Sequence, residues 1–295
     1  MATPRNDRQA PNARQVASAP KLQSERVVAL LEAALEKGAV QPFFDVLIRH
    51  GGIPGPRPNL ELARAVGGEL AGRGPEALEL EQELLAQKHL FLFRVGMESL
   101  AARAARIKRA AAGVELLHDH ADEVDADRRN VVTDALALLV EAKGDEVAVA
   151  LARFTDGFLH ATIALEALTR PGSLSRLSKP EPLFERFAEA FDLADDAPRS
   201  ADRAQGVREL RRSLPAQLAR TAGRFEDLTL AWIEERCTRE RPETREVLAE
   251  TISRLRPVIG EPAADRLRAA LAATAPLPRD PSRIVHGTRK RSRGR

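Results

Sequence analysis

Arg128-Arg-Asn-Val131-Val132-Thr-Asp-Ala135-Leu-Ala-Leu138-Leu139-Val-Glu-Ala-Lys143, followed by Gly144-Asp145, is the stretch on which the fold is decided. Val131, Val132, Ala135, Leu138 and Leu139 recur at three- and four-residue spacing, which puts them on one face of a helix. Gly144 follows as a stop signal of the kind that ends helices. The same pattern extends in both directions. Toward the N-terminus it predicts helices over Leu22–Lys37, Pro42–His50, Leu60–Ala71, Pro75–Gln87 and one long tract over Leu90–His118. Toward the C-terminus it predicts Glu146–Phe154, Phe158–Thr169, Leu183–Leu193, Asp202–Thr221, Phe225–Arg239, Pro242–Arg256 and Pro262–Ala273. No alternating strand pattern interrupts them.

The punctuation is consistent with this reading. Gly38 and Gly51-Gly52 end helices, and Asn59 caps the helix after the loop Ile53-Pro-Gly-Pro-Arg-Pro58. Pro171–Pro182 holds Gly172, three serines and three prolines and is the expected hinge (171–182). Residues 1–21 are polar, contain three prolines and show no periodicity, so they are expected to be disordered. The helical domain is expected over 22–273, followed by a disordered basic tail over 274–295.

Composition narrows the class further. The chain has no Tyr, one Trp and ten Phe, with Ala and Leu supplying most of its apolar side chains. Small aliphatic residues suit close helix packing more than sheets. Cys237 is the single cysteine, so no disulfide can form within the chain. With no signal-peptide pattern, the expected setting is cytoplasmic. No apolar run reaches the roughly 18 residues of a membrane span, so no membrane role is expected. The densest apolar stretch, Leu84–Val95, is broken by Gln87, Lys88, His89 and Arg94 and reads as a buried helix.

The net charge of +3 hides a division. Pro276–Arg295 alone carries +6 and Met1–Lys21 carries +3, which leaves −6 on Leu22–Ala275. Within the tail, Arg289, Lys290, Arg291, Arg293 and Arg295 form a polyanion-binding candidate.

Two segments, Asp127–Leu139 and Glu240–Leu255, share an order: polar turn, Arg, then a Val-bearing helix ending in Leu. In the second it runs Pro242-Glu-Thr-Arg245-Glu-Val247-Leu248 and on to Ile252 and Leu255. This order resembles the second helix of HEAT repeats. Gly55-Pro-Arg-Pro-Asn59-Leu-Glu-Leu62-Ala63 resembles a segment of poorly characterised bacterial HEAT-like proteins. The resemblance implies an all-α, HEAT-like α-solenoid, a right-handed stack of antiparallel helix pairs, with a compact multi-helix bundle as the alternative. It also implies a scaffold role, and it brings no catalytic residues with it.

Reactive constellations are few. Glu115-Leu-Leu-His118-Asp119-His120-Ala-Asp122-Glu123 gathers the most metal-capable groups, and Glu115, His118 and Asp122 are the candidate ligands. Di-iron bundles need a second Glu-x-x-His, and the chain has none. Leu62-Ala-Arg-Ala-Val-Gly67 has the shape of the first helix of a helix-turn-helix. The next helix, however, carries Glu76, Glu79, Glu81 and Glu83, which would repel phosphates. Trp232 reads as a core side chain. No nucleophile elbow, phosphate loop or zinc-type cysteine pair occurs. The sequence therefore predicts a non-enzymatic scaffold or adaptor without a cofactor, holding a protein partner on its helical surface. The alternative is a nucleic-acid-associated protein acting through the tail.

Overall fold

The computed structural model describes residues 26–53, 57–122, 125–201, 203–239 and 242–274. Among these the chain is all helical, with fourteen α-helices and no strand. Residues 1–21 and the basic tail, including Arg289, Lys290, Arg291, Arg293 and Arg295, lie outside the described residues. No described helix is long and apolar enough to cross a membrane.

The helices divide into two compact units. The first takes the described residues up to Leu117 together with those from 125 to Leu139; the second takes His118–Asp122 and the described residues from Val140 onward. The first unit contains α1 (residues 26–37), α2 (Val40–His50), α3 (Leu60–Gly72), α4 (Leu78–Ala86), α5 (Leu90–Arg106), most of α6 (Ala110–His118) and the first part of α7 (Ala126–Lys143).

Helix α5 is the centre of this unit. Phe91, Leu92, Phe93, Val95 and Met97 are all buried, and so are Arg94, Glu98 and Ser99 on the same turns. A helix buried all round must be approached closely from several sides, and small residues allow it. A Cβ on Gly67 of α3 would fall 2.7 Å from the backbone nitrogen of Ser99. On another face, a Cβ on Gly96 would fall 3.0 Å from the backbone nitrogen of Leu85 in α4. Gly67, which looked like part of a helix-turn-helix, is thus a packing contact.

The polar groups carried into this core are paired. The Glu81 carboxylate accepts from Ser99 Oγ at 2.7 Å and from Arg103 Nη2 at 2.5 Å. Arg94 donates to Asp134 at 2.5 Å. The Arg128 guanidinium lies 3.7 Å from the centre of the Phe93 ring and donates to the Gln87 carbonyl at 2.9 Å. Glu98 differs: burial pushes its carboxyl up to about 7, against the pull of Arg64 and Arg94, with Asp134 adding to the rise.

The second unit is built from the end of α7, α8 (Asp145–Ala150), α9 (Phe158–Leu168), α10 (Pro171–Arg176), α11 (Glu181–Asp196), α12 (Gln205–Ala222), α13 (Glu226–Arg236) and α14 (Pro242–Ala273). Helix α12 packs on both α9 and α14. Gly206 lets it lie against Phe158 and Leu159, and Arg220 donates to Glu166 at 2.5 Å and to Thr169 Oγ1 at 3.0 Å.

Several boundaries differ from the periodicity. The tract expected over Leu90–His118 is two helices, α5 and α6, because Ile107 turns extended with ψ 127°. The return is tight enough that a Cβ on Gly113 would sit 2.9 Å from the Ala104 carbonyl oxygen. The breaker-rich stretch from Pro171 forms helix α10, since a proline in the first turn gives up no hydrogen bond. Asp145 then ties down the connection between α10 and α11, accepting from the backbone nitrogens of Ser178 at 3.0 Å and Lys179 at 3.1 Å. Helix α14 covers both expected C-terminal helices, with a kink at Gly260, where φ is 77°.

Two measurements test the packing of the first unit. Gly67→Ala should lower the unfolding free energy by about 1–3 kcal/mol in urea titration followed by far-UV circular dichroism. Gly68→Ala, one residue on and facing open space, should be neutral or stabilising by up to about 1 kcal/mol. Glu98 provides the second. Its carboxyl is raised from 4.5 to about 7 in the fold, so the stability it supports is complete below the lower value and is lost as pH rises through the upper. Unfolding free energy should fall by up to about 3 kcal/mol between pH ~4.5 and ~8, and Glu98→Gln should flatten that slope.

Candidate functional site

Helix α6 ends at His118, and the chain turns at once, with the Ala121 nitrogen donating to the His118 carbonyl at 2.9 Å. His118 is buried while Glu115, one turn earlier, is exposed. Of the candidate ligands Glu115, His118 and Asp122, Glu115 comes within 4.8 Å of His118 together with the exposed Asp119, while His118 and Asp122 also take part in a cluster completed from much further along the chain. After α8, a tighter 3-10 turn over Leu151–Asp156 brings Asp156 to the start of α9. Gly157 is extended there, and His160 follows one turn into α9. The four-residue step from Asp156 to His160 places both groups on one side of the helix start.

Asp156 stands between the two histidines. Its Oδ1 lies 2.7 Å from His160 Nδ1, and its Oδ2 lies 3.0 Å from His118 Nε2. The first contact is a hydrogen bond. The second is an ion-pair contact of the buried His118 Nε2 that does not meet hydrogen-bond geometry. The two imidazoles meet edge to face, with ring centres 4.8 Å apart, and Phe154 stands edge-on to His118 at 5.0 Å. On its far side, His160 Nε2 lies 3.0 Å from Asp122 Oδ1, although the Asp122 side chain is 92% exposed. Arg153 reaches the same Asp156 carboxylate at 2.5 Å.

Burial pushes the Asp156 carboxyl up, but the attraction of His160, His118 and Arg153 outweighs this and holds it down at about 2. Asp156 is therefore an anion across the ordinary pH range, placed to orient two imidazoles. Ligand atoms of His118, Asp156 and His160 all lie within 4.8 Å of one another. Sequence spacing around His118 does not reveal Asp156 and His160. The one local signal is Asp156-Gly-Phe-Leu-His160 itself, a carboxylate and an imidazole one helical turn apart.

A second feature lies between α11 and α13. Phe184, Ala188, Leu228 and Trp232 line an open groove of about 410 Å3, and Glu181, Glu185 and Glu235 contribute carboxylates to its lining. Trp232, expected in the core, is half-buried. It is backed by Phe184, Phe187 and Phe191, with ring centres 5.3–6.2 Å away. Leu228 is 49% exposed. Among the described residues no Lys or Arg is part of this lining, although the buried Arg236 guanidinium stands 4.9 Å from the centre of the Trp232 ring.

Cys237 is buried, and burial raises its thiol. A raised thiol is a poor nucleophile near neutral pH. The Asn59 nitrogen donates to the Gly51 carbonyl at 2.9 Å, and its Oδ1 accepts from the Leu62 nitrogen at 3.1 Å. Among known proteins, no family model and no curated sequence matches the chain.

The cluster can be tested by stability, in the presence of a chelator. Asp156→Ala leaves two buried imidazoles without their shared partner and should lower the unfolding free energy by about 1–3 kcal/mol in urea titration. Arg153→Ala, a half-exposed partner of the same carboxylate, should change it by less than about 1 kcal/mol.

Proposed function

We propose that the chain is a non-enzymatic helical scaffold, related in architecture to HEAT-like solenoids, that holds a basic, amphipathic segment of a partner protein in the groove between α11 and α13. The observation that carries this reading is the pairing of an apolar floor, the exposed Leu228 with the half-buried Phe184 and Trp232, with three carboxylates and no described cation in the lining. Aromatic anchors in a rigid pocket are the side chains that give most binding energy at protein interfaces. A helix inserted apolar face first would place its flanking lysines or arginines beside Glu181, Glu185 and Glu235. Complementary charge of this kind selects the partner and speeds its encounter. The net charge of −6 on Leu22–Ala275 favours the same class of partner at longer range.

The test uses the full chain and a fluorescein-labelled amphipathic peptide of leucine and lysine, read by anisotropy. The peptide should bind. The double variant Glu181→Lys with Glu185→Lys should weaken binding at least about tenfold, or 1.4 kcal/mol, and a leucine–glutamate peptide of the same pattern should not bind. Leu228→Ala, at an exposed position, should weaken the lysine peptide without altering the fold. Equal binding of both peptides, or an affinity untouched by the double reversal, would overturn the reading.

A further inference from the structure

We propose that His118, Asp156 and His160 form a binding site for one divalent transition-metal ion, with zinc as the reference ion. His118 Nε2, His160 Nδ1 and the Asp156 carboxylate are the ligands, and solvent completes the shell. Two imidazoles and a carboxylate are the donor types that zinc and its first-row neighbours take.

Three observations point to an ion and not only to a salt-linked histidine pair. First, the three ligand atoms converge from separate segments, the end of α6, the turn before α9 and α9 itself, to within 4.8 Å. Bonds of about 2.0–2.2 Å around a tetrahedral ion put ligand atoms roughly 3.4 Å apart, so binding asks for side-chain shifts and no backbone rearrangement. Second, the His118 side chain is nine-tenths buried, and its Nε2 is turned to Asp156 Oδ2 at 3.0 Å in a contact that does not meet hydrogen-bond geometry. Coordination would give that nitrogen a directed bond. Third, His160 presents Nδ1 toward Asp156 while its other nitrogen, Nε2, meets the Asp122 carboxylate at 3.0 Å. A ligating histidine commonly donates its second N–H to a carboxylate, which fixes the tautomer and the ring orientation. Asp122 is thus a positioning residue for His160.

Arg153 opposes binding. Its guanidinium occupies the Asp156 oxygen nearest His118, at 2.5 Å, and a cation there repels a second one. Arg153 is 45% exposed, so it can swing into solvent as the ion enters. The arrangement predicts that removing this side chain tightens the site, the opposite of what it predicts for each ligand.

The experiment uses the untagged full chain, stripped with a chelator and dialysed, then titrated with zinc chloride by calorimetry and with cobalt chloride by visible absorption. One ion per chain is expected, with a rise in the thermal midpoint. His118→Ala, His160→Ala and Asp156→Asn should each abolish or strongly weaken binding. Asp122→Asn should weaken it about tenfold or more, and Arg153→Ala should strengthen it. Asp122 and Arg153 lie at the exposed rim, so their variants keep the test decisive where a buried-histidine variant fails to fold. Absence of binding to the folded chain, or binding that His160→Ala, Asp122→Asn and Arg153→Ala all leave unchanged, would overturn the site. In the first case the cluster is a carboxylate-bridged histidine pair; in the second the ion sits elsewhere.

Discussion

Backbone-to-backbone approach across α5 is the constraint on which the first unit depends. A helix buried on every side cannot keep a solvent-facing polar stripe, so its charged residues have to be satisfied within the core. Gly67 and Gly96 let α3 and α4 come close enough for this to happen. At the separation from α4 that Gly96 allows, Ser99 and Arg103 reach Glu81. A larger side chain at Gly96 would push α4 away and leave Ser99 and Arg103 short of Glu81. Buried ion pairs of this type contribute less to stability than to holding one arrangement over its alternatives. The composition fits such packing, with much Ala and Leu, no Tyr and one Trp.

The helices were legible in the sequence because each carries its own apolar period and most carry their own stop signal. Failures fell where tertiary packing overruled local pattern. Nothing at Ile107-Lys108-Arg109 announces the break between α5 and α6, since no Gly or Pro stands there; the turn depends on Gly113 fitting against Ala104. In α7 the period picked out one face, but Leu136, Ala137 and Val140 are buried as well. Pro171 illustrates the reverse case: the first half of a run rich in proline and serine, Pro171–Arg176, is helical, because a proline in the first turn is compatible with a helix.

The histidine cluster was half legible. His118 and Asp122 stood out because metal-capable residues crowd one short stretch; Glu115 and Asp119 of that crowd also come within 4.8 Å of His118, on its exposed side. The partners Asp156 and His160 come from 38 and 42 residues beyond His118, a separation that only the fold closes. The aromatic groove followed a similar path. A lone Trp in an amphipathic helix suggests core, and Trp232 does rest on three phenylalanines. It stops short of full burial because α11 and α13 leave the groove open beside Leu228.

With no Tyr in the chain and its single Trp on α13, near-ultraviolet light sees the two units unequally. The second carries the only indole, so intrinsic emission excited at the red edge reports on that unit alone. The first unit contributes phenylalanine absorbance and is almost silent. Far-ultraviolet ellipticity, by contrast, weighs every helix alike. The difference between those two melting curves is therefore a built-in gauge of whether the units unfold together or apart, available without label or mutation.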